Sequence, residues 1–211
     1  AELGIDLRHA DGTRDTIRYC WDERGWAEES ETAPPPLVIQ VGKNLRMLKM
    51  PNIMIRSLPS GEIDYADLRE TIRIHRDIPP IVMANIGTTM KEGIDDIPTI
   101  RKMLREMAIP RSYIHCDAAL DGMILPFIEG APQWDFAAGI DSLAISGHKF
   151  IGSPIPCGIA LAKKANVDRI ARSIEYVGTL DTTVTGSRNG ITPIFLWYAI
   201  LQYGREGFAQ A

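Results

Sequence analysis

The sequence predicts an α/β fold in which a mainly parallel sheet is flanked by helices. From about residue 59 onward, short apolar runs alternate with helical patterns at regular intervals, which is typical of β-α units. The chain has 211 residues, of which 45% are hydrophobic, so it is long enough to bury one sizeable core. Residues 1–40 show neither a helical nor a strand period and close on three prolines. We therefore predict a divergent or irregular segment over 1–40 and a partial large domain over 41–211.

Composition and charge argue against several classes of protein. The net charge of −4 is mild, and no cluster of lysine and arginine alternates with aromatic residues, so a nucleic-acid partner is not expected. No apolar run approaches the roughly 20 residues of a membrane helix, and the first residues are charged where a signal peptide is apolar. Cys20, Cys116 and Cys157 lack the spacing of a zinc motif or a secreted disulfide framework. We expect a cytoplasmic protein with reduced cysteines, no metal and no membrane contact.

Four helices are predicted along the second part of the chain. Asp64 is expected to cap the first helix, and Asp95 or Asp96 the second, with Pro98 in its first turn. The segments VDRIARSI and TPIFLWYAILQYG are predicted to form the third and fourth helices. One face of the first helix is expected to contain Leu68, Ile72 and His75.

Four strands are predicted between these helices, in PIVMANIGTT, SYIHCDAALDG, DSLAISGHK and CGIALAKK. In open α/β sheets, ligands bind in the crevice beyond the carboxyl ends of the strands, so the residues that follow each strand are the first candidates for chemistry. The first three strands end on small, hydroxyl or charged side chains. These are Thr88 and Thr89, then Asp117, Ala118 and Ala119, then Ser146, His148 and Lys149.

This set of residue types fits pyridoxal phosphate. The cofactor needs a lysine for a Schiff base, an acid at its ring nitrogen and small or hydroxyl residues around ring and phosphate. A lysine partly desolvated in a cleft is available as a nucleophile toward an aldehyde, and Lys149 has that position. An ionised Asp117 favours a protonated ring, which accepts electrons from a developing carbanion. Each residue alone is more often a cap, a turn or a solvated loop, so the prediction depends on their joint appearance in one sheet.

Three segments carry a family resemblance: HCDAALDGMILPF, DSLAISGHKFIGSPIPCGIALAKK and TVTGSRNG. Together they resemble the pyridoxal-phosphate-dependent group II amino acid decarboxylases, in particular the histidine decarboxylase and plant serine decarboxylase branch. The resemblance runs from about Val41 to near the end of the chain. The fold that it implies is the large domain of the aspartate-aminotransferase type, which is fold type I of the pyridoxal-phosphate enzymes.

The resemblance also implies roles for individual residues. Lys149 is expected to form the Schiff base, and Asp117 to pair with the pyridine nitrogen. The other implied cofactor contacts are Ala119 against the ring, Thr88 near the ring hydroxyl or the substrate carboxylate, and Ser146 and His148 beside the phosphate and cofactor.

By analogy with the family, the chain is expected to form a homodimer. In family members, one loop reaches toward the neighbouring subunit. The segment of this chain that resembles that loop contains Thr185, Gly186 and Ser187. Two family motifs N-terminal to this match, a glycine-rich phosphate cradle and a His-Tyr-Ser segment with a stacking histidine, are not found; the histidine would fall at about Val38.

The predicted reaction is decarboxylation of an L-amino acid to the amine and carbon dioxide, with histidine as the first substrate and serine as the second. Two alternatives to this reaction stay open. In the first, the chain is a non-catalytic remnant or a dimerisation partner of such a decarboxylase. In the second, it catalyses another reaction on the same scaffold, such as a lyase or transaminase reaction. A transaminase usually needs an arginine clamp, and no arginine is convincingly placed for one.

Overall fold

The structure is a computed structural model of the 211-residue chain. It describes residues 2–8, 14–22, 25–28, 45, 48–174, 179–181 and 188–211, with side chains in 45, 48–171 and 188–211. The chain divides into two compact units, Ala1–Met54 and Ile55–Ala211. The division into 1–40 and 41–211 stays a prediction.

The described part of the chain includes nine strands, four α-helices and two short 3-10 helices. The strands are β1 (Glu2–Arg8), β2 (Arg14–Asp22), β3 (Gly25–Glu28), β4 (Ile81–Asn85), β5 (Tyr113–Asp117), β6 (Ser142–Ser146), β7 (Gly158–Ala162), β8 (Arg172–Ile174) and β9 (Thr179–Asp181). The α-helices are α1 (Tyr65–Ile74), α2 (Ile97–Glu106), α3 (Lys164–Ile170) and α4 (Thr192–Gln210), and the 3-10 helices are Asp121–Met123 and Leu125–Phe127.

The central sheet has the strand order β4-β5-β6-β7. The first three strands are parallel and β7 runs antiparallel to β6, which confirms a mainly parallel sheet. Since β4, β5 and β6 point the same way, their carboxyl ends lie at one edge. At that edge, Asp117 is in register with Asn85 on one side and Ala144 on the other.

The hydrophobic core lies between this sheet and the helices α1 and α2. Alternate residues of β4, β5 and β6 are buried, as the two-residue period of a strand requires when one face packs on helices. The core includes Val82, Ala84, Ile114, Cys116, Leu143 and Ile145 from the strands and Leu68, Ile72, Ile97, Ile100, Met103 and Leu104 from the helices.

Helix caps follow the predictions closely. Asp64 caps α1 and accepts the amide hydrogens of Ala66 and Asp67. Asp96 caps α2 by accepting the Thr99 amide hydrogen at 2.9 Å. These bonds satisfy amides that have no partner inside the helix.

Three predictions about local structure need correction. His75 does not lie on the buried face of α1; it is the exposed residue that ends the helix. The helix predicted for VDRIARSI ends at Ile170, because Ala171 is extended (φ −60°, ψ 134°), and Arg172–Ile174 form β8. Residues 2–28, where no period was found, contain the antiparallel sheet β1-β2-β3.

The last helix, α4, is held to the rest of its unit by aromatic side chains. The ring of Phe208 lies 5.7 Å from that of Phe150 and 6.4 Å from that of Phe127, measured between centroids. Gly204, with φ 56°, interrupts the helical geometry. Over the residues that the structure describes, we find no helix with the length and apolar character of a membrane span.

Candidate active site

The segments that leave β4, β5 and β6 are joined to one another by backbone hydrogen bonds. These bonds fix the three strand ends as one continuous edge, which is where ligands bind in open α/β sheets. The bonds run from Ile86 N to Asp117 O (2.8 Å), from Ala118 N to Ala144 O (2.9 Å) and from Ser146 N to Ala119 O (3.3 Å).

Asp117 is the last residue of β5 and is half-buried. Its Oδ1 accepts the amide hydrogen of Ala119 at 3.2 Å, which orients the carboxylate. Its Oδ2 accepts no hydrogen bond from any residue with a described side chain or backbone. One carboxylate oxygen at the strand end is therefore free to accept a hydrogen bond from a ligand. Ala119, also half-buried, adds only a methyl group beside it.

His115 lies two residues before Asp117 on the same face of β5 and was not predicted as a site residue. Its Nδ1 is 2.7 Å from the hydroxyl of Ser142, its neighbour in β6. Burial lowers the pKa of the His115 imidazole, and the charge of Asp117 partly opposes that effect. The lowered pKa favours the neutral imidazole, whose hydrogen-bond partner is Ser142 in the neighbouring strand.

Lys149 follows β6 through a tight turn. The amide of Lys149 donates to the Ser146 carbonyl at 3.3 Å, and the Gly152 amide donates to the Lys149 carbonyl at 3.0 Å. The side chain is exposed, and no described carboxylate forms an ion pair with its ammonium group. Gly147 makes the turn possible, because a Cβ there would lie 2.7 Å from both Cys157 Sγ and Leu196 Cδ2.

His148 points its ring at the segment that leads into β7. Its Nδ1 is 3.1 Å from the backbone nitrogen of Cys157 and 3.1 Å from the carbonyl oxygen of the same residue. Nδ1 accepts from the Cys157 amide when it is unprotonated and donates to the Cys157 carbonyl oxygen when it is protonated, so both contacts engage Nδ1. Nε2 is the nitrogen that remains for a ligand. Ser146, half-buried, precedes this turn.

Thr88 is buried in the loop after β4. Its Oγ1 accepts the amide hydrogen of Gly93 at 2.9 Å, and the amides of Gly87 and Thr88 both donate to the Gly93 carbonyl at 3.1 Å. The hydroxyl oxygen of Thr88 thus stabilises the loop by accepting a hydrogen bond. The hydroxyl hydrogen has no partner in the described part of the chain. Thr88 can donate to a ligand without opening the loop.

Asp121 is a buried acid at this edge that was not predicted as a site residue. It begins the 3-10 helix after β5. Burial raises the pKa of its carboxyl, the charge of Glu92 raises it further, and the charge of Lys149 lowers it. A signal was present in the sequence, since an acid stands between Leu120 and Gly122 inside an otherwise apolar run.

The structure brings together Thr88, Asp117, Ala119, Ser146, His148 and Lys149 at one edge of the sheet. Thr185, Gly186 and Ser187 lie outside the described residues. Cys116 and Cys157 are free thiols. Within the described ranges, no group of three or more His, Cys, Asp or Glu side chains is arranged to hold a metal ion.

These residues fit pyridoxal phosphate on structural grounds. Asp117 has a free oxygen for a protonated ring nitrogen, and Lys149 has an unpaired amine on a flexible stem. The hydrogen of Thr88 Oγ1 remains as a hydrogen-bond donor, and Nε2 of His148 remains free for a ligand. A nucleophile, an acid and a hydrogen-bond donor at one edge of the sheet are groups that this cofactor requires.

Comparison with known proteins places the chain in a family. The family described as the pyridoxal-dependent decarboxylase conserved domain matches residues 39–211. The histidine decarboxylase of Mesorhizobium japonicum is 49% identical over 170 residues, which is 81% of this chain and 46% of that protein. The histidine decarboxylase of Morganella morganii is 52% identical over 168 residues, 79% of this chain and 44% of that protein. The chain thus spans less than half the length of these two relatives.

Solved structures show the same fold. The L-methionine decarboxylase of Streptomyces sp. 590 superposes with a TM-score of 0.62 at 26% identity, covering 74% of this chain and 41% of that chain. The glutamate decarboxylase of Lactobacillus brevis gives a TM-score of 0.66 at 19% identity, over 86% and 44%. With the family match over 39–211, these findings show that the chain belongs to the pyridoxal-dependent decarboxylases, a family of fold type I whose cofactor is pyridoxal phosphate.

Proposed function

We propose that this chain carries the cofactor site of an L-amino acid decarboxylase, with histidine as the first substrate and serine as the second. The observation that supports the proposal most directly is that backbone hydrogen bonds join the carboxyl ends of β4, β5 and β6. Backbone hydrogen bonds of 2.8 to 3.3 Å hold Asp117 and Lys149 on one edge of the sheet. Histidine is preferred because relatives named histidine decarboxylase are 49% and 52% identical to the chain.

The proposed roles follow from the free groups at this edge. The Lys149 amine would bond the cofactor, and Asp117 Oδ2 would accept a hydrogen bond from the ring nitrogen. The negative charge of Asp117 favours a proton on that nitrogen by about 4 kcal/mol at 4 Å and an effective dielectric of 20. Ala119 would leave room for the ring, Thr88 would donate to a ring or substrate oxygen, and Ser146 would donate to the phosphate. His148 would lie beside the phosphate and cofactor, with Nε2 free to exchange a proton.

When bound, pyridoxal phosphate accepts the electron pair released as the bond between the substrate Cα and its carboxylate breaks. The chain then has two tasks. Asp117 keeps the ring nitrogen protonated, which strengthens that electron acceptance. A protonated group at the crevice returns a proton to Cα, and His148 is the proposed donor.

We further propose that the protein acts in the cytoplasm as a homodimer, with the loop containing Thr185, Gly186 and Ser187 directed at the neighbouring subunit. This rests on the family resemblance. It is tested by the mass of the chain in solution with and without pyridoxal phosphate.

The activity is tested by incubating the chain with pyridoxal phosphate and L-histidine or L-serine, and measuring the amine by chromatography. We expect histamine from L-histidine, and none from the Lys149→Ala variant. The matched control is Lys164→Ala, an exposed lysine of α3 that pairs only with Asp168 among the described residues. Ethanolamine as the main product would identify serine as the substrate. No amine from either amino acid, with cofactor bound, would favour the non-catalytic alternative.

A further inference from the structure

A tight turn before α1 packs on the loop that contains Thr88. Residues 58–62 form this turn. The Leu58 amide donates to the Glu62 carbonyl at 2.7 Å, and the Gly61 amide donates to the Leu58 carbonyl at 2.9 Å. Gly61 is buried and has φ +93°, a backbone conformation that favours glycine. The roles proposed above do not use the 58–62 turn.

Two glycines allow the 58–62 turn to approach the loop of residues 87–93, called here the Thr88 loop. A Cβ on Gly93 would lie 2.5 Å from the backbone carbonyl carbon of Gly61 and 2.7 Å from its oxygen. A Cβ on Gly61 would lie 3.2 Å from Thr88 Oγ1. The backbone of the turn therefore lies directly against the Thr88 loop, with no room for a side chain at either glycine.

Lys91 adds a second link between the same two segments. Its Nζ donates a hydrogen bond to the Pro59 carbonyl at 2.9 Å. Its stem also contacts the turn, since a Cβ on Gly61 would lie 2.9 Å from Lys91 Cβ. The Thr88 loop and the 58–62 turn are thus joined by a charge-assisted hydrogen bond as well as by backbone contact.

The Thr88 loop is held in a conformation that needs support from its surroundings. The Thr88 carbonyl accepts the amide hydrogen of Glu92 at 2.7 Å, and Thr88 Oγ1 accepts that of Gly93 at 2.9 Å. Glu92 has φ 52°, in the left-handed region. A residue other than glycine stays in that region where the surrounding structure holds it there. The 58–62 turn is an element that packs against this loop.

We propose that the 58–62 turn is a positioning element for the Thr88 hydroxyl. It keeps the Thr88 loop closed, so that Oγ1 stays the acceptor of the Gly93 amide and the hydroxyl hydrogen stays available to a ligand. Resting on the proposed function, that ligand is an oxygen of the cofactor ring or of the substrate carboxylate. Gly61 and Lys91 act through Thr88, so they are positioning residues.

The first test measures amide hydrogen exchange at Gly93 by NMR, in the full chain without cofactor. Gly61→Ala places a Cβ against the Thr88 loop and should raise this exchange rate about fivefold, because it weakens the hydrogen bond to Thr88 Oγ1. Gly130→Ala is the matched control, since Gly130 also has a positive φ, +74°, but a Cβ there would have no atom within 4 Å. Equal rates in Gly61→Ala and Gly130→Ala would overturn the proposal.

A second variant decides the question if Gly61→Ala does not fold. Lys91 is exposed, so Lys91→Met leaves the core intact while it removes the hydrogen bond to Pro59. The exchange rate at Gly93 should rise at least about twofold in this variant. Lys164→Met on α3 is the control and should leave the rate as in the parent. In that case, an unchanged rate in Lys91→Met would overturn the proposal.

The second test asks whether Gly61 acts through Thr88. Its readouts are the dissociation constant of pyridoxal phosphate and the KM for L-histidine. Thr88→Val should raise one of them about two- to tenfold, and Gly61→Ala should raise the same one. Gly61→Ala should add less than about twofold in a Thr88→Val background, and its effect should return with Thr88→Ser, which keeps the hydroxyl. Independent, multiplying effects of Gly61→Ala and Thr88→Val would overturn the proposal.

The two experiments separate this proposal from the proposed function. If Thr88→Val changes neither constant, the ligand role of Thr88 in the proposed function fails. The amide exchange at Gly93 then still decides whether the 58–62 turn positions the Thr88 hydroxyl, because that measurement needs neither cofactor nor substrate.

Discussion

One buried side chain, that of Asp95, fixes the carboxyl end of β4. Asp95 is 1% exposed, and its two oxygens accept the amide hydrogens of Ile63 and Asn85, both at 2.7 Å. It therefore joins the segment before α1 to the end of β4. Burial raises the pKa of this carboxyl, and the two backbone hydrogen bonds oppose that effect.

We expect Asp95→Asn to lower the free energy of unfolding by about 2 kcal/mol. An amide keeps one acceptor oxygen but presents a donor to the second backbone amide, which loses its partner in a buried place. Chemical denaturation followed by circular dichroism measures the change. Asp77→Asn, at an exposed position after α1, is the control, and equal losses in the two variants would contradict the role of Asp95.

Part of the candidate site could be predicted from residue types alone. Asp117 and Ser146 end apolar strands and Lys149 closely follows one, so strand pattern alone predicts that they lie at the edge where the parallel strands end. Asp121 was missed because its placement depends on contact with Gly87, 34 positions earlier in the chain. The role of Asp95 as the acceptor for two backbone amides was missed for the same reason. Its partners, Ile63 and Asn85, belong to other elements.

At the level of elements, local signals predicted helices better than strand direction. Asp64 and Asp96 mark helix starts because a capping side chain bonds to amides two or three residues away. The antiparallel direction of β7 depends on pairing with β6, which no local period specifies. The β1-β2-β3 sheet was missed although the sequence carries a signal for it, since Leu3, Ile5 and Leu7 alternate with polar or small residues along β1.

The aromatic contacts of α4 predict which residue holds this helix in place. Phe208 is 6% exposed and lies within 6.4 Å of three other aromatic rings, including Phe150, which directly follows Lys149. We expect Phe208→Ala to lower the free energy of unfolding by about 3–5 kcal/mol. Tyr198→Ala, 60% exposed on the same helix, should change it by less than about 0.5 kcal/mol. Similar small effects in both variants, measured by denaturation, would contradict the packing role.

At the level of the whole molecule, the described hydrophobic core lies entirely in the second compact unit. The buried cluster contains residues from Leu68 to Ile145, all within Ile55–Ala211. The segments joined at the candidate site belong to the same unit. The residues that position Asp117 and Lys149 thus lie in one core.

We therefore expect residues 55–211 to fold without 1–54. A cooperative thermal transition with a midpoint close to that of the full chain is the expected result, because the buried cluster stays complete. The transition is measured by circular dichroism, with the full chain as the control. A broad, non-cooperative transition would show that residues 1–54 are needed for the core.

The central claim, that Lys149 is the residue that bonds pyridoxal phosphate, has a direct chemical test. The full chain is incubated with the cofactor, reduced with borohydride and digested, and the modified peptide is located by mass spectrometry. We expect the reduced pyridoxyl group on Lys149, with Lys163 and Lys164 unmodified, and we expect no modified peptide from Lys149→Ala. A label on another lysine, or equal labelling of the parent and Lys149→Ala, would contradict the assignment of this edge of the sheet as the cofactor site.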